Sequence, residues 1–91
     1  MAVMITFTLK TDAATYQRLH EQLLSAARPA GLLFHSGREA KGGIAIVDFW
    51  PSEEAWHAFF EKGPAGAGLK AAGIAPPDDL QITPVLNADG R

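Results

Sequence analysis

Apolar and polar residues alternate from Val3 to Leu9. Val3, Ile5, Phe7 and Leu9 fall on one side, Met4, Thr6 and Thr8 on the other. A period of two with β-branched residues predicts a strand with one buried face. The spacing then changes. Tyr16, Leu19, Leu23, Leu24 and Ala27 recur at steps that trace one stripe of an amphipathic helix. Thr11 or Asp12 can cap its start, because a short oxygen-bearing side chain accepts from the free amides of the first turn. Pro29 and Gly31 are expected to stop it. Two further strands follow, Leu32–Arg38 and Gly43–Trp50, with Glu39, Ala40, Lys41 and Gly42 between them as a hairpin loop. Ser52 caps a second helix whose first turn holds Glu53 and Glu54, where negative charge meets the positive dipole end. Its apolar stripe is Ala55, Trp56, Phe59 and Phe60, interrupted by Gly63 and Pro64. Ala65–Gly73 can form a short third helix, weakened by its glycines. Pro76 and Pro77 form a rigid linker. Leu80–Leu86 reads as the last strand, in which Pro84 lacks a ladder donor and so predicts an edge or a strand end. Asn87–Arg91 is a tail.

The order β-α-β-β-α-β is the split βαβ, ferredoxin-like pattern, an α+β class with one antiparallel sheet and both helices on one face. The opposite face is left bare. A chain of 91 residues forms a single domain, 1–91. A domain of this size buries only about 60% of the surface its unfolded chain exposes. A bare face containing Ile, Val and Leu therefore calls for a partner, most simply a second copy in a two-fold face-to-face contact.

Composition narrows the function classes. With 47% apolar and 20% charged residues the chain is globular rather than disordered. Eight basic against ten acidic residues give −2, without the basic excess that nucleic acid or an anionic membrane would require. Cysteine is absent, which excludes disulfides, thiolate metal sites and a thiol nucleophile. There is no membrane-length apolar run and no signal-peptide pattern in Met1–Lys10, so a cytoplasmic protein is expected. A Gly-rich phosphate loop, a Gly-x-Ser-x-Gly elbow and a His-Glu-x-x-His pair are all missing. No cofactor and no metal are expected.

The candidate chemistry lies with three histidines and one aspartate. His20 falls on the apolar stripe of the first helix, either packed against the sheet or presented to a cavity as an acid or base. His35 and Asp48 lie on the central hairpin. With a four-residue loop, Arg38 pairs with Gly43, Leu33 with Asp48 and His35 with Ile46. His35 and Asp48 are then diagonal neighbours on one face; an odd loop or a bulge would separate them. Asp48 interrupts the apolar run Ile44–Val47, and a buried carboxylate is costly without a partner. His35, a dimer mate, water or a ligand must satisfy it. His57 flanks the stripe of the second helix and is expected in solvent. Phe7, Tyr16, Trp50, Trp56, Phe59 and Phe60 are core by default and could wall a flat apolar ligand.

The stretch Ile46-Val47-Asp48-Phe49-Trp50-Pro51-Ser52-Glu53-Glu54-Ala55-Trp56 resembles the strand-to-helix segment of the dimeric α+β barrel superfamily, particularly small proteins like the antibiotic biosynthesis monooxygenases. Pro29-Ala30-Gly31 and Ile82-Thr83-Pro84-Val85 fit the same resemblance. It implies a homodimer with sheets packed face to face and a ligand cavity between sheet and helices. It also implies a choice among cofactor-independent monooxygenases, haem degraders, isomerases and polyketide cyclases. Fold alone does not choose among these reactions. The histidine that monooxygenase-like members carry on the second helix is replaced here by Phe59. At the haem degraders' Asn, Trp and His positions stand Phe7, Phe59 and Leu69. The remaining expectation is an enzyme acting on an aromatic or polyketide-like small molecule through His20, His35 and Asp48, or else a non-catalytic binding or structural dimer module.

Overall fold

Asp12 starts the first helix: its carboxylate accepts from the Thr15 amide at 2.7 Å, which also holds the Asp12 carboxyl below its ordinary range. Ser52 does the same for the second helix, accepting from Ala55 N–H. In the computed structural model, which describes residues 1–88, these caps organise the order β1 Val3–Leu9, α1 Ala13–Ala30, β2 Phe34–Ala40, β3 Gly43–Trp50, α2 Glu53–Phe60, α3 Pro64–Ala71 and β4 Gln81–Pro84. The expected tail lies partly outside the described residues.

The four strands form one antiparallel sheet in the order β2-β3-β1-β4, the ferredoxin-like arrangement expected from the element order. The alternation in β1 is realised: Val3, Ile5, Phe7 and Leu9 are buried and the residues between them are half-buried. β3 repeats it, with Ile44, Ile46, Asp48 and Trp50 turned to the same side. These rows, with Trp56, Phe59, Ala65, Leu69 and Ile74, form the core under the helices. On the other face Met4 pairs with Phe49 and Phe34 with Phe49, leaving Phe34 42% exposed.

Several boundaries differ from the sequence expectation: β2 is Phe34–Ala40 rather than Leu32–Arg38, and α3 is Pro64–Ala71 rather than Ala65–Gly73. α1 runs through Pro29, whose fixed φ fits the last helical turn, and ends at Gly31 with φ 121°. The last strand is only four residues long, and Pro84 stands at its end on the sheet edge. The hairpin is the largest correction. Ala40 pairs with Gly43, so the turn holds only Lys41 and Gly42 rather than four residues. Gly42 takes a φ of 90°, which an L side chain adopts only with strain. Shortening the loop by two residues keeps every side chain on the face expected for it. It slides the pairing, so that His35 faces Asp48 directly instead of Ile46.

Candidate functional site

The β2–β3 register places His35 and Asp48 on one rung, both on the helix side of the sheet. Their side chains meet there, His35 Nδ1 to Asp48 Oδ1 at 2.6 Å. The other carboxylate oxygen accepts from the indole N–H of Trp50 at 3.2 Å. Trp50 lies two positions further along β3 and is itself fully buried. The partner that Asp48 requires is thus supplied twice over from within the chain. Its residue is 7% exposed, and these two bonds offset the cost of taking a carboxylate out of water.

The opposite nitrogen of His35 is also engaged. Tyr16, projecting from the first turns of α1, brings its hydroxyl to 2.6 Å from His35 Nε2. With Nδ1–H given to the carboxylate, Nε2 carries the lone pair and the phenol O–H donates to it. The result is a linear chain: Trp50 and His35 donate to Asp48, and Tyr16 donates to His35. Burial, and secondly the negative charge of Asp48, raise the Tyr16 phenol above its ordinary value. His20 stacks on both partners, with ring centroids 5.3 Å from His35 and 5.4 Å from Tyr16.

Room for Tyr16 comes from Gly37, two residues along β2 on the same face. A β-carbon built there would overlap the Tyr16 hydroxyl. Gly37 therefore acts as a notch in the strand that seats the phenol beside His35.

A cavity of about 70 Å³ lies against this chain. Phe7, Tyr16, His20, His35, Asp48, Trp50, Phe59 and Phe60 line it, among mostly aliphatic neighbours. Outside it an open groove of about 590 Å³ runs between α1 and the β2 edge, with Arg28, Leu33 and Phe34 along it. His20, Leu24, Leu32 and His35 line both spaces. The two histidines form a common wall between interior and surface.

The structure brings together His20, His35 and Asp48 and five of the six aromatic residues singled out by sequence. Trp56 stands apart. It is 1% exposed and stacks on Phe60 at 4.8 Å, behind the cavity lining. Sequence placed His57 in solvent. It is half-buried on α2, facing Glu53 and Glu61 at 3.1 and 2.8 Å, well away from the cavity. Those carboxylates, Glu53 first, raise its pKa above the ordinary imidazole value. Gly37 went unnoticed in the sequence, because its meaning depends on a side chain twenty-one positions earlier in the chain. Among the described residues no group of three or more His, Cys, Asp or Glu could hold a metal ion, and no helix is long and apolar enough to cross a membrane.

No protein-family model matches the sequence, and no curated protein does. Solved structures do match. One is a candidate antibiotic biosynthesis monooxygenase from Chloroflexus aurantiacus, 15% identical, covering 99% of this chain and 98% of that one, with a TM-score of 0.65. Another is a dimeric ferredoxin-like protein from an uncultured marine organism, 16% identical over all of both chains with a TM-score of 0.53. A third is the ActVA-Orf6 monooxygenase of Streptomyces coelicolor in complex with nanaomycin D. It is 25% identical, covers 96% of this chain and 88% of that one, and has a TM-score of 0.52. The chain shares the ferredoxin-like fold of these proteins, as the resemblance implied.

Proposed function

We propose that this protein is a small homodimeric enzyme that moves a proton on a hydroxyaromatic or polyketide-like molecule without a cofactor, in the manner of the monooxygenases, isomerases and cyclases built on this fold. The observation that carries the reading is the Asp48–His35–Tyr16 chain against the cavity, with bonds of 2.6 Å on both sides of the imidazole. Asp48 fixes the tautomer of His35 and stabilises the imidazolium formed when His35 accepts a proton. Phe7, Trp50, Phe59 and Phe60 orient a flat ring. The neighbour that holds nanaomycin D supports an aromatic polyketide as the substrate class. A second copy covers the face that bears Met4, Phe34 and Phe49; the dimeric neighbour supports this. Sedimentation at micromolar protein is expected to give twice the protomer mass, and a folded lone protomer would remove the dimer.

The activity test is turnover of a naphthoquinol-type substrate in air, with no added metal or flavin. Oxygenation and isomerisation are distinguished by product mass. Turnover lost in a folded His35→Ala variant is expected; turnover unchanged in it would reject His35 as the base. The size of the cavity, about 70 Å³, favours a second reading, since ligand pockets usually run to roughly 300 Å³ or more. On that reading the protein is a non-catalytic binding module, and the same compounds would bind saturably without conversion.

A further inference from the structure

Both nitrogens of His35 are taken. Nδ1 faces Asp48 and Nε2 accepts from Tyr16, each at 2.6 Å. A molecule in the cavity therefore has no free nitrogen of His35 to meet, and the other imidazole there, His20, lies outside the hydrogen-bonded chain and stacks on it. The terminal member of the chain is Tyr16, which lines the cavity. Its oxygen gives its proton to His35 and keeps lone pairs of its own.

From this we infer that Tyr16 is the catalytic residue that touches the substrate, and that His35 is reached only through it. The inference rests on the acid–base reading proposed above and deepens it. The substrate class is a small molecule with an ionisable hydroxyl, a phenol or an enol. Its O–H donates to Tyr16 Oη. As that proton moves onto Oη, the original phenol proton moves to His35 Nε2. The substrate O–H bond breaks and a new Tyr16 O–H forms. The old Tyr16 O–H breaks and a His35 N–H forms, leaving an imidazolium beside the Asp48 carboxylate. Tyr16 ends neutral, as it began, so its raised pKa is no obstacle. The hydroxyl has now reversed. It accepts from His35 and donates to the new oxyanion, and so holds the product of the proton transfer with the group that effected it.

The surroundings fit one transferable proton. The titratable groups facing Tyr16 and His35 are His20 from α1 and Asp48 from β3, and Arg28 of α1 lies along the adjoining groove. The single carboxylate balances a single imidazolium. Gly37 is explained by the same arrangement, because a larger residue there would push the phenol off Nε2.

The test uses 4-nitrophenol, whose anion is read by its visible absorbance, with wild type, Tyr16→Phe and His35→Asn, each checked for folding by circular dichroism. Wild type is expected to bind the anion about tenfold more tightly than the neutral form, lowering the midpoint of the bound probe by about one pH unit. Both variants are expected to lose that preference. If Tyr16→Phe keeps it while His35→Asn loses it, His35 takes the proton directly: the relay is overturned and the acid–base reading stands. If His35→Asn keeps it, or if wild type binds no probe or shows no preference, the relay and the reading beneath it both fall.

Discussion

His35 meets Asp48 across two strands, with side chains 18% and 11% exposed, whereas His57 lies one helical turn from each of two glutamates whose side chains are about half exposed, at 53% and 51%. The chemical groups are the same and the consequences differ. On α2 the carboxylates remain hydrated, so the pair gains little from meeting and loses side-chain freedom to do so. In the sheet the carboxylate has given up water and depends on two donors fixed by strand register and by packing. One pair decorates a helix. The other holds a buried position that only its partners can satisfy.

The largest expected effect breaks the interior pair. Asp48→Ala leaves the N–H groups of His35 and Trp50 without an acceptor, and should cost about 3 kcal/mol in urea unfolding. The corresponding Glu53→Ala change should cost less than about 0.5 kcal/mol. Similar losses at both sites would erase the distinction. Gly37→Ala should come next, at about 1 kcal/mol, because the phenol must leave its seat. Its signature is the loss of the Tyr16–His35 bond, visible as a disappearing proton signal between them in NMR spectra.

Proton titrations sharpen the contrast. Tyr16 is the single tyrosine, so its ultraviolet titration can be read without ambiguity. It should fall above 10, raised by burial and then by Asp48, and Asp48→Asn should lower it. A group raised in the folded state binds its proton more tightly there than when unfolded. Its contribution to stability is complete below pH 10 and is lost as pH rises through the folded value. A midpoint at or below 10 would contradict the buried setting. The smallest effect belongs to His57. Its raised pKa gives a contribution that is complete below 6.5 and lost as pH climbs through the higher folded value. Glu53→Gln should bring the imidazole midpoint, followed by NMR, back toward 6.5, with little change in unfolding.

Much of this architecture was legible because apolar rows dictate it. β1 alternates without ambiguity, β3 reads as an apolar run, and Asp48 announced itself by interrupting that run. β2 offered no such guide. Phe34-His35-Ser36-Gly37-Arg38-Glu39-Ala40 is mostly polar on both faces, so hydrophobic burial cannot fix its register and the turn decides. Reading the turn as four residues put His35 beside Ile46; the two-residue turn put it beside Asp48. The contact between Tyr16 and His35 was hidden for a different reason. Tyr16 lies on a helical stripe that looks like ordinary core, and its hydroxyl finds His35 only once the helix has settled over Gly37. His20 was placed on the correct face because its stripe is local.

The indole of Trp50 donates to the same carboxylate that holds His35, while Trp56 stacks on Phe60 away from the cavity. The protein thus carries one indole bonded to the interior carboxylate and a second, Trp56, whose ring lies 5.0 Å from that of His57 and so senses a different titration. A change in emission that survives Trp56→Phe and vanishes in Trp50→Phe would report ionisation beside the cavity directly, with no label attached.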